Sequence, residues 1–220
     1  MKTTCIKFLL AILCPLALFG CGDKGGSSAA PRKADTPMQA LENMRQAFLD
    51  GDKEAFAQCF DATGQQAEMV DAFCDFSIAA SRFDQAMRKA YGEDAVTQAM
   101  GGGARNVPFE DDNWLKDVTI QVEGDTATAV KAGQGEDLRL VKRDGRWKID
   151  AASMLSDKGA TDQGVEQLTT MFQTMTRVVT DVSQKVGQSG YTAEKINQEL
   201  RQAMMSAMMQ AAGTPGMPGR

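Results

Sequence analysis

With 220 residues, of which 43% are hydrophobic and 24% charged, the chain can fill one core of ordinary domain size and carry appendages besides. Its net charge of −5 argues against nucleic acid as a partner, because phosphate binding needs neutralising cations. Histidine is absent, which takes away the commonest general base and metal ligand; no metal-ligand grouping or cofactor motif is present, so a non-enzyme is favoured over an enzyme.

Met1 to Lys7 carries two lysines, and Phe8 to Phe19 is an uncharged run of twelve residues. Twelve helical residues reach about 18 Å, short of a hydrocarbon core of about 30 Å, so residues 1–20 read as a secretory signal peptide and not a membrane span. Leu18-Phe19-Gly20-Cys21 resembles the lipobox of bacterial lipoproteins, with Phe where Ser or Ala is commoner. That resemblance implies cleavage before Cys21, diacylglycerol on its sulfur and an acyl chain such as palmitate on the new amino group. Three chains exceed the two signals that stable anchoring takes, so the membrane is an expected partner through Cys21. Gly22 stands where many inner-membrane lipoproteins have Asp, which implies an outer-membrane anchor facing the periplasm. Residues 21–36 are rich in Gly, Ser, Ala and Pro and read as a lipidated flexible tether with a reach of about 20 Å.

Residues 37–155 carry the domain. Thr36-Pro37 is an N-cap followed by Pro at the first helical position, and Leu41, Met44, Phe48 and Leu49 recur at helical spacing up to Asp50-Gly51. Asp52 caps a short helix with Ala55, Phe56, Cys59 and Phe60 inward. Gln66 to Tyr91 forms a long helix with a wide apolar face, and Glu93 to Met100 a short one. Gly101-Gly102-Gly103 lacks the Lys and Ser/Thr of a phosphate loop and reads as a connector.

Two hairpins follow. Val118, Ile120 and Val122 alternate with polar residues in a half-buried strand, and Gly124-Asp125 turns the chain into Thr126 to Lys131. The second hairpin, Glu136 to Arg143 and Arg146 to Asp150, turns on Asp144-Gly145. That turn sets Leu140 against Ile149, Lys142 against Trp147 and Leu138 against Ala151 on the core side, with Arg139 beside Asp150 on the other. Arg143 and Arg146 then meet, with Lys142 and Lys148 nearby, in a basic knuckle that is either a headgroup-binding patch or a solvated hairpin end.

Ala47-Phe48-Leu49-Asp50-Gly51-Asp52, Val122-Glu123-Gly124-Asp125-Thr126-Ala127 and Arg143-Asp144-Gly145-Arg146-Trp147-Lys148-Ile149, in that order, resemble the nuclear transport factor 2-like superfamily. The resemblance implies an α+β fold in which a curved antiparallel sheet of about four strands packs, cone-like, on N-terminal helices, with two C-terminal helices added. It also implies a cavity, for which Tyr91, Trp114, Leu138, Leu140, Trp147 and Ile149 are the candidate lining. The family holds ketosteroid-isomerase-like and dehydratase-like enzymes as well as binding members. No position here matches a family catalytic motif, so no catalytic residue is carried over; Asp84 and Glu110-Asp111-Asp112 are the nearest candidates for a base.

Once Cys5 and Cys14 leave with the leader, Cys59 and Cys74 remain as either a disulfide or two buried thiols. Residues 156–212 form a C-terminal helical extension. Asp162 can cap a helix whose Val165, Leu168, Phe172, Met175, Val179, Val182 and Val186 keep a heptad seam, either for a coiled-coil partner or, better matched by its uncharged flanks, for the chain's own domain. After Gly187 to Gly190, Thr192 opens a helix with a methionine-rich stripe, and residues 213–220 read as a disordered tail. The function expected is an envelope lipoprotein that binds a small hydrophobic ligand or an envelope protein without chemistry. The alternatives are a lipid-tethered isomerase or dehydratase and a scaffold acting through its C-terminal helices.

Overall fold

The computed structural model describes residues 33–99, 115–131, 137–155 and 161–211. Helix α1 (Pro37–Asp50) opens on a capping box in which Thr36 Oγ1 accepts the Gln39 N–H and Gln39 Oε1 accepts the Thr36 N–H, each at 3.2 Å. It ends at Gly51, whose φ of 65° is the left-handed conformation that glycine adopts without strain. Asp52 Oδ1 accepts the Ala55 N–H at 3.0 Å to start α2 (Lys53–Gln58). Helix α3 (Gln65–Tyr91) and α4 (Glu93–Ala99) follow, parted by Gly92.

The sheet holds β1 (Phe60–Asp61), β2 (Val118–Glu123), β3 (Thr126–Lys131), β4 (Leu138–Arg143) and β5 (Arg146–Asp150), in the spatial order β1-β5-β4-β3-β2. A 3₁₀ turn (Ala151–Leu155) and helices α5 (Asp162–Ser183) and α6 (Ala193–Ala211) complete the chain. The fold is α+β, and both hairpins have the expected register: Leu140 pairs with Ile149, Lys142 with Trp147, and Glu123 with Thr126. Asp144 and Gly145 both take positive φ, 50° and 75°, as a two-residue turn matched to strand twist demands.

The sheet departs from the sequence reading in having five strands and one parallel pairing. Phe60, expected on the inner face of the second helix, leaves it, and with Asp61 runs parallel to β5 opposite Ile149 and Asp150. The cause is the free edge of β5, whose alternate N–H groups need acceptors. Cys59 O takes the Ile149 N–H at 2.8 Å, and Ala34 O takes the Trp147 N–H at 2.9 Å. Ala34, assigned to the tether on composition, is therefore part of the fold and only 5% exposed. At the opposite edge β2 is wetter than its alternation implied, with Val122 55% exposed.

A chain of ring contacts runs through the core. Phe56 touches Phe48, Phe60 and Phe73, and Phe73 and Phe76 touch Phe172 of α5, which ties α1, α2, β1, α3 and α5 into one apolar cluster. The seam of α5 is thus spent on the chain's own α3, with Val165, Phe172, Met175, Val179 and Val182 all buried. Its N-cap is Thr161, not Asp162: Thr161 Oγ1 accepts the Gly164 N–H at 3.2 Å. Helix α6 is held by the Lys185–Glu199 ion pair at 2.6 Å and by Asn197 Nδ2 and Arg201 Nη2, which donate to Ala99 O at the end of α4. No described helix is long and apolar enough to cross a membrane.

Candidate functional site

The inner face of the sheet is where the sequence placed a cavity, and packing there is closed. Leu140 and Ile149, opposite each other on β4 and β5, expose no surface at all, and Trp147 exposes 6%. A side chain lining a chamber that water can enter would keep some accessible surface, so Leu140 and Ile149 line none. Ala127 and Ala129 on β3, at 2% and 5%, show why: small side chains next to large ones let the layer interdigitate. Leu138 is half-buried at the margin of the same core.

Tyr91 packs, half-buried, against the same apolar cluster. It sits at the last turn of α3 with its hydroxyl oxygen accepting the Gly187 N–H at 2.9 Å, and so fastens the long helix to the turn between α5 and α6. Trp114 and Glu110-Asp111-Asp112 lie outside the described residues, as does Cys21. Of the candidate lining, Leu140, Trp147 and Ile149 are thus buried on the sheet face, and Leu138 and Tyr91 are half-buried against the same apolar cluster.

What the sequence reading did not single out is a polar stripe along the buried side of α3. Ser77, Ser81, Asp84 and Arg88 recur at steps of four, three and four, and all are at least nine-tenths buried. Arg88 Nε and Nη2 donate to the Asp84 carboxylate at 2.5 and 3.2 Å, and Arg88 Nη1 reaches Glu93 at the start of α4. The Asp84 and Arg88 side chains are 2% and 3% exposed, whereas Glu93 is 47% exposed. Two charges taken out of water together need each other, and the pair stays because it is satisfied. Ser77 Oγ is the one described buried side-chain polar atom without a hydrogen-bond partner. The signal was present as a polar 3.6-residue period inside an apolar helix, read over because the apolar period was stronger. Chemically the stripe offers a carboxylate already clasped by a guanidinium, which is a poor proton acceptor.

Cys59 and Cys74 are free thiols and not a disulfide. Cys59 Sγ donates to Ala55 O at 3.2 Å in the last turn of α2, and Cys74 is fully occluded on α3. Burial pushes the Cys74 thiol well above its ordinary range, and the neighbouring Asp71 carboxylate adds to this. Lys53 Nζ bridges Asp71 and Asp75 at 3.0 and 2.8 Å; burial works to lower its pKa, and the two carboxylates raise it on balance. Among the described residues no group of three or more metal-ligating side chains comes together. The basic knuckle is in place at the tip of the β4–β5 hairpin, where Arg143 is partly neutralised by Asp61 at 2.9 Å. On α6, Met205, Met208 and Met209 stand 57%, 36% and 66% exposed.

Compared with known proteins, the chain matches no family model, no curated protein and no solved structure.

Proposed function

We propose that the protein is a bacterial envelope lipoprotein, anchored through Cys21 to the outer membrane on its periplasmic side, whose domain binds a partner protein and performs no chemistry. The anchor is supported by the register of lysines, uncharged run and Gly20-Cys21 within the first 21 residues. We further propose a nuclear transport factor 2-like body whose cone is filled. Its support is the order of helix, Gly51-Asp52 turn, short helix, long helix and hairpins, together with Phe172 of α5 packed on Phe73 and Phe76.

One contrast carries the reading. The sheet's inner side chains are shut away from water, while the last turns of α6 present methionines to it. An isomerase or dehydratase of this kind would need an unclasped carboxylate in a chamber, and Asp84 is held by Arg88 instead. A small hydrophobic ligand on the sheet's inner face would have to displace Leu140, Trp147 or Ile149, which are buried there. A flexible, polarizable methionine surface suits an adaptable protein contact. Deleting everything from Thr161 onward is no test of that surface, because it removes Phe172, Met175 and Val179 from the core.

Native mass spectrometry of the detergent-extracted protein tests the proposal. The expected spectrum shows the lipid mass on the chain beginning at Cys21, no retained small molecule, and a partner subunit whose mass is lost in Met205→Gln/Met209→Gln. A retained small ligand, with no subunit sensitive to those substitutions, would overturn the partner-binding reading. Absence of lipid mass would overturn the anchor.

A further inference from the structure

We propose that the tip of the β4–β5 hairpin is the membrane-facing pole of the protein, a cationic surface that docks on anionic lipid headgroups. The proposal rests on the reading of Cys21 as a lipid anchor. What it adds is which face meets the bilayer, and with what chemistry.

The first observation is where the chain enters the fold. Ala34 O accepts the Trp147 N–H at 2.9 Å, and Trp147 is the second residue after the Asp144-Gly145 turn. Residues 22–33 separate Ala34 from Cys21, a length that even fully extended spans only about 45 Å. Whatever holds Cys21 therefore lies within that radius of Ala34, which is itself bonded two residues from the hairpin turn.

The second is what the tip carries. Arg143 and Arg146 are cross-strand partners, and Lys142 pairs with Trp147 and Lys148 with Val141 one step back. Several nearby cations are already committed: Arg143 to Asp61 at 2.9 Å, Arg139 to Asp150 at 3.7 Å and Lys33 to Asp35 at 3.1 Å. Arg146 and Lys148 have no ion-pair partner among the described residues, and Lys142 Nζ lies 6.0 Å from the centre of the Trp147 ring. Arg146 is exposed and Lys148 half-buried. Guanidinium and ammonium groups held together on a stiff two-stranded ribbon make charge-assisted hydrogen bonds to phosphodiester oxygens without much loss of freedom.

The third is the charge of everything else. Without Lys2 and Lys7 the side chains sum to −7, two lower than the −5 of the whole chain. An anionic surface repels such a body and attracts its cationic tip, so the same field that binds also orients. The field decays within a Debye length of about 8–10 Å, which makes the contribution depend on contact by the tip itself. Each cation at the surface raises partition about fivefold.

The test uses the chain from Gly22 onward, which retains every described residue and lacks only the leader and the lipid-bearing cysteine. Co-sedimentation is measured with vesicles of phosphatidylcholine alone and of phosphatidylcholine with phosphatidylglycerol. Binding is expected to the anionic vesicles only and to be released by salt. Arg146→Gln/Lys148→Gln should lower it about 25-fold, while Arg82→Gln/Lys89→Gln, the same charge change on exposed residues of α3, leaves it unchanged. If the first pair fails to fold, Arg146→Gln alone, at an exposed position, should show about a fivefold loss. No preference for anionic vesicles, or an equal loss in both pairs, overturns the docking surface. The mass of the mature protein from cells reports the anchor independently: lipid on Cys21 with no vesicle preference sinks the docking proposal alone, whereas vesicle preference with a bare Cys21 sinks the anchor and leaves the cationic surface standing.

Discussion

Arg88→Met is the substitution that most directly probes how this core tolerates charge. It keeps the length of the aliphatic stem and removes the guanidinium, leaving the Asp84 carboxylate, 2% exposed at its side chain, without its donor at 2.5 and 3.2 Å. Because both partners are almost wholly occluded, solvent screening gives no discount, and removing one member of a buried pair costs about 3–5 kcal/mol. Against a typical domain stability of about 5–15 kcal/mol, that is a large fraction of the whole. Removing both charges with Asp84→Leu/Arg88→Met should cost far less, since apolar replacement of a buried pair is often neutral. Glu93→Gln, at a half-exposed carboxylate, should cost no more than about 1 kcal/mol. Urea denaturation followed by far-ultraviolet circular dichroism gives each value by linear extrapolation. An Arg88→Met loss under about 1 kcal/mol, or a double variant worse than the single one, would show that Asp84 does not depend on Arg88 and would refute the reasoning.

Four further outcomes are expected. Trp147→Ala should destabilise by about 3–5 kcal/mol, because the indole is 6% exposed and its removal leaves a cavity; a shift of the urea midpoint too small for about 1 kcal/mol would contradict the packing of that face. Thr36→Ala breaks the capping box and should cost about 1 kcal/mol, read as a lower melting temperature, with no change meaning that α1 starts elsewhere. Cys74 should resist iodoacetamide in the native state and react only on unfolding, while half-buried Cys59 reacts first. Since burial raises the Cys74 pKa in the fold above its ordinary 9.0, the contribution is present in full below 9.0 and is lost as pH rises from there toward the higher pKa of the fold, so the urea midpoint should fall in alkali for wild type more than for Cys74→Ala.

Local chemistry in the sequence was enough for the elements it directly encodes. Thr36-Pro37, Asp52 and the Asp144-Gly145 turn each act through neighbours within four residues, and the hairpin register followed from turn length alone. Phe60-Asp61 was not legible as a strand because two residues show no periodicity, and its pairing is set by an edge supplied almost ninety residues later, by Ile149 and Asp150. Ala34 was missed for the same reason, since composition says nothing about a single backbone carbonyl. Leu140, Trp147 and Ile149 were placed on the right face and are buried there, but whether a face encloses space depends on what lies opposite, which no local pattern encodes. Asp84 was noticed as an acid, while the step of four to Arg88 that neutralises it was not used.

The clasp between Ala34 and Trp147 also fixes an order of events. The residues that receive the start of the chain are made about a hundred positions after it, so the amino-terminal helices emerge before the ribbon that closes over their edge exists. Pairings so remote in sequence form slowly. A polypeptide threaded outward from its first residue would thus remain open until its second hairpin had followed, and would lock shut only once on the far side.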